Sequence, residues 1–406
     1  MGSWERLDMS FDESTLYNIY SKLNGKRYPL YDLALWKNGL AFKKIHFSDD
    51  GVPVIKIAEL NNGISGNTSY TKQIFSDDVH LKKEDLLFSW SGNPQTSIDI
   101  FKFQLQEGWL NQHIFKVTPN EEIVDRDYFY FLMKYLKPWF TQIASNKQTT
   151  GLGHVTIADI KRMSVLVPSL TMQKKIVDVL KPINDKIQIN ASINNNLFHQ
   201  AQALYKNRFI DMEPFSGKIP DDWRLGTFSE IIEFHDTKRV PLSNRERANL
   251  KKIFPYYGAT SIMDYVDKYI FDGVYLLISE DGTVADSKGF PILQYVDGRF
   301  WVNNHAHIVT GKNGFTVEIL YLLCSLTNIK SIITGAVQQK ISQSSLKKVP
   351  VIIPSKSELN GFDSIIQPIF AQIRNLRAEN NRINNILNIL LPRLLSGKLD
   401  VSKIKI

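Results

Sequence analysis

The side chains that could do chemistry in this chain are few, and they are of a kind that binds rather than cuts. His113 closes the segment Trp109-Leu110-Asn111-Gln112-His113, and His305 closes Trp301-Val302-Asn303-Asn304-His305, with His307 two residues further on. A hydrolytic metal site needs several His, Cys or carboxylate ligands at fixed spacing. No Cys or carboxylate cluster accompanies these histidines in the sequence, so no metal is expected and they read as structural or DNA-contacting. The single cysteine, Cys324, lies in the apolar run Leu320–Leu326 and reads as a buried thiol. Gly397-Lys398 is followed by Leu399 and lacks the upstream glycine of a phosphate loop. Pro-Pro never occurs, which removes the Asn/Asp-Pro-Pro-aromatic segment of an amine-methylating enzyme. The expectation is a chain with no catalytic residues and no cofactor.

What remains is a set of polar and cationic residues in loops, of the types that meet base edges and phosphates. Lys43 and Lys44 follow Gly39; Ser91, Asn93 and Gln95 follow a strand-end turn; Lys147, Gln148 and Thr150 form a polar run. Later in the chain come Lys238 and Arg239, then Asp281 and Thr283, then Gln338, Gln339 and Lys340. These are the candidate DNA-binding residues.

They recur in matching order because the chain contains itself twice. Pro168, Pro182, Asn194, Asn195 and Leu204 match Pro354, Pro368, Asn380, Asn381 and Leu390 at one offset of 186 residues. The two Trp-to-His segments match at 192. Two copies are too few for a solenoid, so the pattern predicts a tandem duplication with pseudo-two-fold symmetry.

The pattern predicts an α+β architecture, with two mixed domains separated by two long helices. A helical N-terminal extension is expected over residues 1–25. The first domain spans 26–168, with β-rich runs at Val52–Ile57, Leu86–Ser89, His113–Val117 and Ser164–Val167 around a helix at Tyr128–Ile143. A helical region follows at 169–211, where Pro182 suits the first position of a helix reaching Phe209. The second domain spans 212–354, with strands at Tyr275–Ser279 and Ala306–Thr310 and a helix at Glu318–Leu326. A second helical region occupies 355–398, and 399–406 reads as a loose basic tail.

The long helices carry a heptad rhythm. Ile187, Asn194, Leu197 and Leu204 in the first answer Ile373, Asn380, Ile383 and Leu390 in the second. Two matching seams predict an antiparallel coiled coil. Asn194 and Asn380 would either fix its register from within or flank it in water. A helix of ~27 residues at ~1.5 Å per residue is ~40 Å long, the length of ~12 base pairs.

Composition agrees with a folded protein of two or three domains: 406 residues, 43% hydrophobic, formal charge +8. A charge of that size permits a polyanionic partner without demanding one. No run of 18 apolar residues occurs, and the N-terminus opens on Trp4-Glu5-Arg6 rather than a leader, so a soluble cytoplasmic protein is expected.

In order and in duplicate, these segments resemble the specificity subunit of type I restriction-modification systems over nearly the whole chain. Ile219-Pro220-Asp221-Asp222-Trp223 looks like the start of a target recognition domain in that family. Leu277-Ile278-Ser279-Glu280-Asp281-Gly282-Thr283 looks like its strand-turn signature, matched in the first copy by Leu87-Phe88-Ser89-Trp90-Ser91-Gly92-Asn93. Leu391-Pro392-Arg393-Leu394-Leu395-Ser396-Gly397 resembles its helix ending. The family often has Pro-Pro and then Glu-Gln at the helix entry; here Ser169 follows Pro168 and only Gln173 remains. The resemblance implies that each recognition domain reads one half of a bipartite double-stranded DNA site. It further implies that the helices set the spacer and dock two methyltransferase subunits, and that restriction subunits cleave. The alternative is a scaffold whose duplicated heads bind something other than nucleic acid.

Overall fold

The computed structural model describes residues 17–18, 21–148, 152–335 and 338–401. The chain divides into two compact units. One comprises residues 189–380; the other joins the stretch up to 188 with 381 onward. Each unit therefore holds one head and a part of each long helix.

In the first head, Gly25–Pro29 and Met163–Pro168 pair antiparallel, so the domain opens and closes on neighbouring strands. A four-stranded sheet follows in the order Ala34–Asn38, Ile114–Pro119, Leu86–Ser89, Asp99–Lys102. A second sheet runs Tyr70–Thr71, Val52–Ile55, Glu107–Leu110, His80–Lys82, with Trp109 paired in parallel to Val54. The helix Arg126–Asn146 is started by the Asp125 carboxylate, which accepts the N–H groups of Asp127 and Tyr128, and it buries Phe129, Leu132, Leu136, Phe140 and Ile143. Those side chains close the core over Leu86, Phe88, Ile100 and Phe115.

The second head repeats this plan. Arg224–Thr227 pairs with Pro350–Ile353, and one six-stranded sheet runs Ile232–Phe234, Ala306–Gly311, Phe271–Ser279, Leu293–Val302, Phe254–Tyr257, Ile262–Val266. The single strand Leu293–Val302 does the work of two in the first head. It pairs antiparallel with Phe271–Ser279 and then in parallel with Phe254–Tyr257, where Trp301 faces Tyr256. Trp109 and Trp301 thus mark the same parallel register, which explains why that segment survives the duplication. Thr316 caps the helix Val317–Ser325, in which Cys324 is buried and its thiol pushed up to about 12 by desolvation.

Several expectations are corrected. Of the N-terminal extension, Tyr17–Asn18 is a strand beside Met163–Ser164 rather than helix, because that strand edge offers unpaired backbone groups. Residues 1–16, 19 and 20 lie outside the described residues. The long helices run unbroken over Leu170–Phe209 and Lys356–Leu395, 40 residues each, with Pro182 inside rather than first. The missing proline N–H removes one bond out of a long ladder, and buried Ile176, Val177 and Leu180 anchor the turns ahead of it. The start of the tail is not loose: Leu399 packs on the core, Val401 is buried, and the Leu399 N–H donates to the Arg393 carbonyl. Residues 402–406 lie outside the described residues.

Within the unit 189–380 the helix segments are antiparallel, as Asn190 meets Asn380 while Phe209 meets Phe362, with ring centroids 4.8 Å apart. Ile373 is buried, Leu197 packs partly against the core, and Leu204 is 42% exposed. The stripe instead steps by four through Ala201, Tyr205 and Phe209, since these residues also face the head's own core at Trp223 and Phe362. Burial of each such aromatic stabilises by about 1.5–3 kcal/mol, enough to override a strict heptad. In the other unit Ile183 and Ile187 are half-buried, as are Ile383 and Leu390, and Leu390 packs on a cluster that includes Leu180 and Leu394. Asn194 does not pair with Asn380. Asn190 Nδ2 donates to Asn380 Oδ1 at 2.9 Å and to Glu379 Oε2 at 2.7 Å, and the same register sets Leu376 level with Asn194.

Candidate nucleic-acid interface

In each head the candidate loops gather at one end of the sheet, tied together by backbone hydrogen bonds. In the first, Gly39 N–H donates to Ile114, Gln112 to Leu40, Trp90 to His113, and Val155 to Trp90. In the second, His235 N–H donates to Ile308, Glu280 to His305, Ile341 to Glu280, and Gly282 to Gln339. Entry loop, strand-end turn, Trp-to-His segment and exit loop therefore converge twice, and the bonds from Trp90 to His113 and from Val155 to Trp90 recur as those from Glu280 to His305 and from Ile341 to Glu280. Gly92 and Gly282 sit at equivalent points of the turn with φ of 121° and 81°, a backbone region that a side chain would strain.

The expected contact residues divide by what already holds them. Lys43 and Lys44 are exposed at the start of a short 3-10 turn, as are Gln95, Gln148, Lys238, Thr283, Gln338 and Gln339 in their loops. Asn93 is exposed, yet its Oδ1 accepts the N–H groups of Gln95 and Thr96 and so shapes the turn. Ser91 is 6% exposed, because it sits in the short strand pair with Gly153–His154, and it is withdrawn as a direct contact. Lys147 is engaged at 2.5 Å by Asp159, whose carboxylate also accepts from Thr156. Lys340 is half-exposed, 3.4 Å from Glu280. Thr150 lies outside the described residues.

Arg239 is corrected outright. Its side chain is 16% exposed; Nη1 donates to Glu280 Oε2 at 2.6 Å and to the Ala306 carbonyl at 2.8 Å. It belongs to a buried ionic knot that sequence reading missed, because Asp236, Glu280 and His307 are far apart along the chain. Their ligand-type atoms lie within 4.8 Å of one another. His307 Nε2 donates to the Ile341 carbonyl at 2.8 Å, and its Nδ1 meets Asp236 Oδ2 at 2.6 Å. Asp236 also accepts the Gln343 amide at 2.5 Å and the Ile308 N–H at 2.8 Å. Burial opposes the Asp236 charge, but the hydrogen bonds from His307, Gln343 and Ile308 outweigh it and hold the pKa below the ordinary value. The expectation that no carboxylates gather at the histidines is thus overturned. The positive charge such a cluster wants is supplied by Arg239 from within the chain.

At the equivalent place the first head is mainly aromatic and, among its described residues, holds no charged group of its own. Phe115 pairs with Phe88 as His307 pairs with Ile278; Trp90 stands for Glu280 and Asn38 for Asp236. Trp90 stacks on Phe115 with centroids 5.7 Å apart, and its Nε1 donates to Asn38 Oδ1 at 3.1 Å. Trp90 also touches His113, whose pKa burial pushes down, with His154 adding to the shift. His305, the counterpart of His113, instead has its Nδ1 on both oxygens of Asp281, at 2.8 and 2.9 Å.

Comparison with known proteins gives this arrangement a family. The model of the type I restriction modification DNA specificity domain matches twice, over residues 24–199 and 220–388. A putative type I restriction enzyme specificity subunit of Haemophilus influenzae is 32% identical over 136 residues, which is 34% of each chain, so that alignment spans about a third of the relative. A type I restriction enzyme specificity subunit of Methanocaldococcus jannaschii is 24% identical, with 72% of this chain and 73% of that one covered. Among solved structures, the S subunit of a type I restriction-modification system from M. genitalium matches at a TM-score of 0.47 and 15% identity, covering 92% and 96% of the two chains. With both matched segments together spanning most of its length, the chain belongs to the family of type I restriction-modification DNA specificity proteins.

Proposed function

We propose that this chain is the DNA-reading subunit of a type I restriction-modification complex, each head meeting one half of a bipartite, asymmetric site. The observation that carries the reading is the twofold convergence of four loops at the same sheet end, with different residues presented in each copy. A frame repeated with altered loops suits two different half-sites. Lys43, Lys44 and Lys238 are placed to neutralise phosphates, and Gln95, Gln148, Thr283, Gln338 and Gln339 to meet base edges.

The long helices act as the ruler and as the docking frame for two methyltransferase subunits. At ~1.5 Å per residue each is ~60 Å long. Adenine methylation and cleavage then belong to the methyltransferase and restriction partners, and this chain contributes neither a catalytic group nor a cofactor site. Among the described residues no helix is long and apolar enough to cross a membrane.

Co-expression with the cognate modification subunit followed by methylome sequencing tests the proposal. A new split motif is expected, and exchange of residues 223–350 for another member's segment should change one half only. No new motif, or a change in both halves, overturns it.

A further inference from the structure

We propose that His305, held by Asp281, is a base-reading residue of the second head, and that its Nε2 accepts a hydrogen bond from the exocyclic amino group of an adenine or cytosine in the major groove. This rests on the reading of the chain as a DNA-recognition subunit. The argument begins with proton placement. Both Asp281 oxygens lie on His305 Nδ1, at 2.8 and 2.9 Å, and a carboxylate has no hydrogen to give, so Nδ1 carries it. A neutral ring so held presents Nε2 as a bare acceptor, and Nε2 has no partner among the described residues.

The ring is also fixed in place. The His305 N–H donates to Asn303 Oδ1 at 2.8 Å, and its carbonyl accepts from Glu280 N–H at 2.9 Å. Asn303 is itself 4% exposed. The imidazole remains 44% exposed while Asp281 is 20% exposed, so the carboxylate is the support and the ring the presented group. The ring borders a surface depression of about 350 Å³ lined by Ala259, Thr260, Ser261, Met263 and Asp281, in which both oxygens of the carboxylate already face His305 Nδ1.

The depression stands at the loop-bearing end of the sheet. An acceptor there selects amino-bearing bases, because adenine N6 and cytosine N4 are the donors of the major-groove code, whereas guanine and thymine offer only acceptors at those positions. Among its described residues the first head shows no such device: His113 packs against Trp90, and its Nδ1 is buried without a partner. The inference is therefore specific to one half-site.

The test uses the full chain assembled with its modification subunits, on duplexes carrying the motif that methylome sequencing defines. If no motif exists, the functional reading fails; the inference about His305 is judged only on a defined motif. Each adenine and cytosine of the half-site read by the second head is replaced in turn by an analogue lacking the exocyclic amino group. One position is expected to weaken wild-type binding about ten- to hundredfold. The His305→Ala chain should be weakened on the natural site by a similar factor and lose no more on that analogue. His305→Phe, which keeps a ring but has no nitrogen, should behave alike and covers the case in which alanine prevents assembly. Asp281→Ala should lose part of the discrimination while keeping non-specific binding at low salt. Wild-type-like binding of the natural site by His305→Phe, or equal sensitivity of wild type and variant to every analogue, would overturn the proposal.

Discussion

Beneath equivalent loops, the two heads fill the same place by opposite means. The second uses Asp236, Glu280, Arg239 and His307; the first uses Asn38, Trp90 and Phe115, with His307 and Phe115 on equivalent strands. An ionic knot in a dry site must repay the desolvation of several charges, and it does so only with complete hydrogen bonding. Aromatic packing has no such debt and gains from burial directly. The duplicated frame therefore does not depend on which solution is chosen, only on its being complete. This freedom lets residues at the sheet end diverge between copies while strand order stays constant.

The largest way to break the comparison is to remove one partner from each cluster. Asp236→Ala leaves buried His307 Nδ1, the Gln343 amide and the Ile308 N–H without their carboxylate and should destabilise the second head by about 3–5 kcal/mol, whereas Asn38→Ala removes one hydrogen bond and should cost about 1 kcal/mol. Thermal melting read by hydrogen exchange in each head separates the two; equal losses would erase the contrast.

Acid tests the same cluster through the Asp236 charge. The Asp236 pKa is held below its ordinary value, so its stabilising contribution is complete above the unfolded-state value of about 3.9 and fades as pH falls through the lower folded value. Asp99 and Asp159 are depressed likewise in the first head: burial opposes their charge, and Lys134 and Lys137 for the one, Lys147 and Thr156 for the other, overcome it. Both heads should therefore soften in acid. Asp236→Asn should flatten the acid limb of the second head alone, and an acid limb as steep as wild type's would contradict the assignment.

A smaller effect is expected in the long helices. The Oδ1 atoms of Asn190 and Asn194 are both buried without a partner, but Asn190 Nδ2 donates to Asn380 and Glu379. Asn194→Leu should stabilise by roughly 1 kcal/mol and Asn190→Leu should destabilise by a similar amount. Urea midpoints of the two variants moving in the same direction would refute this asymmetry. A comparably small net effect is expected of the full exchange, Asp236→Asn with Arg239→Ala, Glu280→Trp and His307→Phe. It should melt within about 1–2 kcal/mol of wild type although the single changes are costly, because the set removes every charge together. Additive losses across the four would show that the two solutions are not interchangeable.

Much of the fold was legible because it follows from local pattern. Leu86–Ser89 is a strand as expected, and the helix expected at Tyr128–Ile143 forms as Arg126–Asn146, two residues longer at its start and three at its end. The interface was legible only as loops. Arg239 looks like a phosphate contact by type, yet Glu280, 41 residues on, claims it. Ser91 looks like a reader by composition, yet strand pairing with Gly153–His154 buries it. Leu204 keeps the heptad in sequence but loses its place to Tyr205, whose ring reaches Phe362.

The sequence by itself determined the duplication, the order of elements and the family, since repeat offsets, periodicity and turn residues are properties of neighbours along the chain. Only the tertiary structure decided which polar side chains are free to meet DNA. That choice depends on charges and carbonyls brought within ~3 Å by strand pairing, and a buried ion is committed to whichever partner repays its desolvation.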